Sequence, residues 1–180
     1  MIISVSNNRM LFISNLVHSC NYTSYLELGV DDGKNITSVA NFTKSKCFGV
    51  DVVSPGNTDN FTFYKMTTDE FFESNTQTFD VIFVDACHNI DFVIRDLENA
   101  IKVLNKNGTI LLHDVDPISI DFIDNEGFNY SSNAYKIVDY IYVNRKDLNI
   151  TILPVDEAGI AIVNRKSDRR IHKYIGGAYV

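Results

Sequence analysis

A doubly wound, mostly parallel α/β sheet of seven strands is predicted, with helices on both faces and an antiparallel hairpin strand at its C-terminal end. Three observations predict it. Short apolar runs alternate with helical patterns along most of the chain. The first run passes straight into a glycine-bearing stretch, Tyr25-Leu-Glu-Leu-Gly-Val-Asp-Asp-Gly33, that opens a helix. The last two runs are joined by residues 154–158 alone, a connection that suits an antiparallel hairpin. At 180 residues the chain is long enough for one domain with a sizeable core and short for two, so residues 1–180 are read as a single unit. A formal net charge of -7 argues against a protein whose main business is gripping phosphate backbones, so no nucleic-acid partner is expected. No apolar run approaches the ~20 residues of a membrane span, and polar residues 4–9 spoil a signal peptide. Cys20, Cys47 and Cys87 make no disulfide framework, which points to reduced thiols and a cytoplasmic protein away from membranes.

In order, residues 7–19 place Met10, Ile13 and Val17 on one face of a lead-in helix that occupies much of residues 1–22. Residues 23–28 are the first strand. Residues 33–42 form the first crossover helix, with Ile36, Val39 and Ala40 inward. The second strand, 46–51, ends in an acid, and the third, 61–66, alternates after a loop at 54–57. Thr67-Thr68-Asp69-Glu70 has the capping-box form that starts a short helix through Phe71 and Phe72. Residues 79–84 are a nearly continuous apolar strand. The helix 90–104 carries Val93, Leu97, Ala100, Ile101 and Leu104 as one stripe, with an Asp91–Arg95 pair expected on its outer side. Gly108 is expected to end that helix, and 109–112 to form the fifth strand, running into His113-Asp114. A loop at 115–133, a helix at 134–143, strands at 150–153 and 159–163, and a basic, solvated tail at 166–180 complete the chain.

The glycine turn has the geometry a nucleotide-like ligand needs, because glycine admits close backbone approach and a helix start offers free N–H groups. A phosphate loop requires four residues between its glycines, whereas Gly29 and Gly33 enclose three and Lys34-Asn35 follow. The dinucleotide fingerprint would need glycine where Asp31 stands, and Asp31 with Asp32 would repel a pyrophosphate. Asp51 follows Gly29 by 22 positions, close to the spacing at which a carboxylate accepts the hydroxyl protons of a ribose. A turn or cap role for Asp51 is the other reading.

Beyond the carboxyl ends of the fourth and fifth strands stand Asp85, His88, His113 and Asp114. Asp85 and Asp114 can converge on one hard cation such as Mg²⁺, and His113 would admit the softer Mn²⁺. His88, three residues after Asp85, is the candidate general base, because the unperturbed pKa of histidine suits base work at neutral pH. A helix cap beside Asn89 for His88, a packed histidine at 113, and a cofactor-orienting Asp85 without metal are the alternatives.

The pattern Glu27-x-Gly29 with Gly33 resembles motif I of the class I S-adenosylmethionine-dependent methyltransferases, a Rossmann-like fold. Phe79-Asp-Val-Ile-Phe-Val-Asp-Ala-Cys-His88, Arg95-Asp-Leu-Glu-Asn-Ala100 and Gly108-Thr-Ile-Leu-Leu-His-Asp114 resemble the metal-dependent O-methyltransferase branch, over roughly residues 25–165. His88 stands where catechol-type members have lysine, and sugar-hydroxyl members have aspartate and histidine at this spacing. Residues 134–138 and 158–163 resemble a small, poorly characterised class I subfamily. The resemblance implies a cofactor held by Glu27, Gly29, Asp31, Gly33, Asp51, Thr67, Thr68 and Asp85. It also implies Mg²⁺ or Mn²⁺ on Asp85, His113 and Asp114, His88 as base, and a small-molecule or sugar hydroxyl as substrate. His113-Asp114 departs from the Asp-Asn of catechol-type enzymes, and the chain has no room for their long lids. A subunit that binds cofactor without catalysis, a nicotinamide oxidoreductase, and a homodimer formed at the exposed hairpin edge remain open.

Overall fold

The computed structural model describes residues 5–123 and 131–168; the middle of the 115–133 loop and most of the basic tail lie outside the described residues. Helix α1 (Val5–Ser19) leads into β1 (Ser24–Leu28), α2 (Lys34–Phe42), β2 (Lys46–Asp51) and β3 (Thr62–Lys65). The chain continues through α3 (Thr68–Ser74), β4 (Phe79–Val84), α4 (Ile90–Val103), β5 (Leu104–His113), α5 (Ile137–Asn144), β6 (Leu148–Leu153) and β7 (Ile160–Arg165). The seven strands form one sheet in the order β3-β2-β1-β4-β5-β7-β6, as the alternation predicts. β1 pairs in parallel with both β2 and β4, and β7 alone runs against its neighbours β5 and β6. The chain moves outward from β1 to β3 and then returns to β4, so the strand order reverses between β1 and β4. In an open α/β sheet, ligands bind at the carboxyl ends of strands beside such a reversal.

Alternation along the central strands feeds two cores. Val81 and Phe83 of β4 join Tyr25 and Leu111 under Ile13, Val17, Ile36 and Val39 of α1 and α2. Ile82 and Val84 face the other way, with Leu26, Leu28 and Leu112 under Phe71, Val93, Leu97 and Ile137. Each such fully buried aliphatic or phenyl side chain contributes roughly 1.5–3 kcal/mol against exposure. No described helix is long and apolar enough to cross a membrane.

The Thr67 capping box forms as predicted: Thr67 Oγ1 accepts from Glu70 N at 3.2 Å, and Thr67 N donates to Glu70 Oε2 at 2.8 Å. Thr67→Ala is therefore expected to cost about 1 kcal/mol, read as a lower urea midpoint at unchanged slope.

Three local expectations are corrected. Helix α4 ends at Val103, and β5 starts at once with a register shift opposite β4. The left-handed residue there is Asn107 (φ 62°) rather than Gly108. Gly108 is needed for space, because a Cβ on it would meet the Asp80 carbonyl oxygen at 2.8 Å. Arg95 does not pair with Asp91; its Nη2 reaches Asp69 Oδ2 on α3 at 3.0 Å, and its guanidinium lies over the Phe92 ring. The predicted helix 134–143 opens as one 3₁₀ turn before α5 begins at Ile137.

Candidate functional site

Gly29 leaves β1 with φ 83°, its N–H donating to Val50 O at 2.9 Å. The Asp85 N–H donates to Leu28 O at 2.8 Å, so the ends of β1 and β4 touch. A Cβ on Gly29 would stand 2.1 Å from the Asp85 carbonyl oxygen. Glycine at 29 is thus required by the strand beside it, whatever occupies the crevice. Gly33 (φ 77°) is the N-cap of α2. Asp51 closes the turn from the next strand: its Oδ2 accepts from Val30 N at 2.8 Å and Asp31 N at 3.0 Å, and its Oδ1 from Val53 N at 2.9 Å. Asp31 is exposed, while Asp32 accepts from Lys34 N at 3.0 Å and pairs with the Lys34 ammonium.

Glu27 lies below this turn on β1, fully buried. Tyr25 Oη donates to its Oε2 at 2.5 Å, and its Oε1 is buried with no hydrogen-bond partner. Burial, with Asp85 adding repulsion, pushes its pKa up to about 8. Thr67 and Thr68 are engaged elsewhere, Thr67 in the α3 cap and Thr68 on the buried carboxyl of Asp96.

The register Val84↔Leu112 sets Asp85 and His113 side by side just past β4 and at the end of β5. His113 Nδ1 lies 2.9 Å from Asp85 Oδ1 and 3.0 Å from Asp114 Oδ2. His88 Nε2, in the loop just before the Asn89 N-cap of α4, is 3.2 Å from Asp114 Oδ2 and 3.7 Å from Asp85 Oδ1. Asp114 takes a left-handed conformation (φ 60°), and Ser131 Oγ donates to its Oδ1 at 2.5 Å. All four residues expected at these strand ends therefore meet.

Two residues at the cluster are not apparent from its motifs. Arg9 of α1 reaches across with Nη1 2.8 Å from His113 Nε2 and 3.4 Å from Asp85 Oδ2. Asp156, in the hairpin connection, places Oδ2 3.2 Å from the same His113 nitrogen and 3.8 Å from Arg9 Nε. Arg9 did carry a signal, since it lies four and eight positions before Ile13 and Val17 on the inward stripe of α1. Asp156 carried none; its position follows from tertiary folding of the hairpin.

Burial works against charge on Asp85, but His113, His88 and Arg9 outweigh it and hold its carboxyl well below the usual range. Burial likewise opposes charge on the His113 ring, while Asp85, Asp114 and Asp156 raise its pKa well above the ordinary value. Asp156 accepts only if Nε2 carries a proton, whereas Arg9 donates to that nitrogen only if it is bare. With three carboxylates around the ring against one guanidinium, the protonated ring is favoured and Asp156 is its partner. Arg9 is then held beside the ring by the acids the two share.

Among the described residues, Asp85, His113 and Asp114 each offer one ligand atom, and these lie within 4.8 Å of one another. Once His113 Nδ1 gives up its proton, two carboxylate oxygens and an imidazole nitrogen suit a hard or borderline divalent ion, whose octahedral ligands stand ~2.9–4.2 Å apart for bonds of ~2.1 Å. The orphaned oxygen of Glu27 likewise suits a cationic group of a ligand in the crevice.

The family model described as "Methyltransferase domain" matches residues 11–115. No curated protein is matched. Among solved structures, the SAH-bound methyltransferase PaMTH1 of Podospora anserina is 17% identical, with 87% of this chain and 77% of that one covered at a TM-score of 0.70. The Bacillus cereus O-methyltransferase in complex with SAH is 14% identical, with 91% and 82% covered at 0.68. The Streptomyces achromogenes O-methyltransferase TomG, in complex with SAM, is 13% identical, with 87% and 78% covered at 0.66. At these identities the likeness is one of fold.

Proposed function

Because this chain belongs to the methyltransferase-domain family, we propose that it moves the methyl group of S-adenosylmethionine to a hydroxyl oxygen of a small molecule or sugar, assisted by a divalent cation. The observation that carries the reading is the meeting of Asp85, His88, His113 and Asp114 directly beside the Gly29 turn. Glu27, Gly29, Asp31, Gly33 and Asp51 would hold the cofactor, with Asp85 between it and the cation. The cofactor's ammonium and sulfonium charges match a crevice lined by carboxylates, and a cationic group close to Glu27, whose Oε1 has no partner, would favour loss of its proton. Thr67 and Thr68 would contribute through the position of α3, their hydroxyls being engaged in its cap and on Asp96.

When bound, S-adenosylmethionine would supply the methyl group, and Mg²⁺ or Mn²⁺ would lower the pKa of the acceptor hydroxyl. Asp85 stays ionised at neutral pH and so is ready as an anionic ligand beside Asp114 and His113. Asp156 orients His113 through Nε2, the nitrogen opposite the one that faces Asp85 and Asp114. His88 Nε2 is placed at the rim of the pair of acids, where it can take the hydroxyl proton and share it with Asp114.

Isothermal titration of the full chain with S-adenosylhomocysteine tests this reading. Saturable binding that weakens at least tenfold in Asp51→Ala is expected. No heat and no shift in melting temperature from a folded sample would remove the proposal.

A further inference from the structure

We infer that Arg9 is a resident counter-cation of the strand-end cluster and competes with the divalent ion for it, so that ion entry requires the guanidinium to leave. This rests on the metal reading above, and concerns a residue outside the proposed ligand set. Arg9 Nη1 is 3.4 Å from Asp85 Oδ2 and 2.8 Å from His113 Nε2, against two of the three residues that offer ligand atoms. An ion bonded to Asp85 at ~2.1 Å would lie within a few ångströms of that guanidinium, and like charges so close in a half-buried site repel strongly.

The fit of Arg9 is also incomplete. Its Nε is buried without a hydrogen bond, and the nearest acid to it, Asp156, stands at 3.8 Å. Its closest contact, at 2.8 Å, is with a ring nitrogen of His113 rather than with a carboxylate oxygen. A finished structural ion pair would satisfy the fork of the guanidinium with two parallel bonds. The rest of α1 is fastened independently, through Ile13 and Val17 in the core and Ser14 Oγ, 2.9 Å from Ser38 Oγ on α2. Movement of one long side chain, still 22% exposed, would therefore clear the cluster without undocking the helix. The neighbouring Asp156 offers the displaced guanidinium an acid that is not among the three ligand residues. Without the ion, the same side chain keeps the clustered carboxylates from repelling one another.

The test is Mn²⁺ binding to the full chain, read from the free-ion electron paramagnetic resonance signal, in the wild type and in Arg9→Met, Arg9→Lys, Asp85→Asn and Asp114→Asn. Thermal melting with and without Mn²⁺ checks folding of each and gives a second readout. Arg9→Met, which keeps length and loses charge, is expected to bind Mn²⁺ at least tenfold more tightly and to show a larger Mn²⁺-induced rise in melting temperature. Arg9→Lys, which keeps the charge, is expected to stay within about threefold of wild type, and the two Asn variants to lose binding. Unchanged affinity in Arg9→Met, with binding still lost in the Asn variants, would overturn the competition and leave the metal reading standing. Absence of binding in both wild type and Arg9→Met would overturn both. Binding that survives the Asn variants would place the ion elsewhere and overturn both as well.

Discussion

Asp85→Asn is expected to lower the methyl-transfer rate by roughly a thousandfold, about 4 kcal/mol of transition-state stabilisation. The substitution keeps the shape of the side chain, so the effect comes from charge. Asp85 faces His113, His88 and Arg9 at once, within 2.9, 3.7 and 3.4 Å. Losing its charge removes an anionic ligand and lets the His113 ring titrate nearer its ordinary value, since Asp85 is the largest of the charges that raise it. Asp114→Asn should cost a similar factor, and the double variant little more, because residues that act as one unit are not additive. Initial rates with a radiolabelled methyl donor, taken as a function of Mn²⁺, check this. Asp85→Asn turnover within threefold of wild type would contradict it.

The second large effect concerns stability. Glu27→Gln is expected to become more stable than the wild type as pH rises. The folded pKa of Glu27 is raised from 4.5 to about 8, chiefly by burial, so the folded chain keeps a proton that the unfolded chain has given up. Its contribution to stability is complete below the unfolded pKa and is lost as pH rises through the folded one. At about 1.4 kcal/mol per pH unit, the span from 4.5 to about 8 amounts to about 5 kcal/mol at most. Glutamine has no charge to lose and still accepts from Tyr25 Oη, but adds a buried N–H pair where Oε1 has no partner. The variant should therefore be about 1–2 kcal/mol weaker near pH 5 and several kcal/mol stronger near pH 9. Urea midpoints of both proteins at the two pH values measure the swing, and parallel pH profiles would sink it.

What was legible in the sequence is what periodicity and strand-end position encode. Short apolar runs, nearly continuous at 79–84 and alternating at 61–66, marked the strands, and a run that ends in Asp85 or in His113-Asp114 must present those groups at the carboxyl edge of the sheet. Since β4 and β5 pair in parallel, the four side chains had to meet. The third member of each local argument was harder to read. Gly29 was expected to make room for a ligand, yet the Asp85 carbonyl already fills the space its Cβ would take. Asp51 was expected to face a ribose, and both of its oxygens also hold the backbone of the glycine turn and of Val53. Arg9 and Asp156 come from opposite ends of the chain, and only the packing of α1 and of the β6–β7 hairpin brings them to His113. Arg95 shows the same limit, because a partner on a neighbouring helix displaced the one four residues away.

The most direct measurement is a crystal structure of the chain with S-adenosylhomocysteine and Mn²⁺, with anomalous data collected for the manganese. The expected result is one anomalous peak bonded to Asp85 and Asp114 beside His113, adenosyl density over the turn from Gly29 to Gly33 with its ribose at Asp51, and the Arg9 guanidinium turned away. A manganese peak elsewhere, or an adenosyl group outside that crevice, would contradict the account.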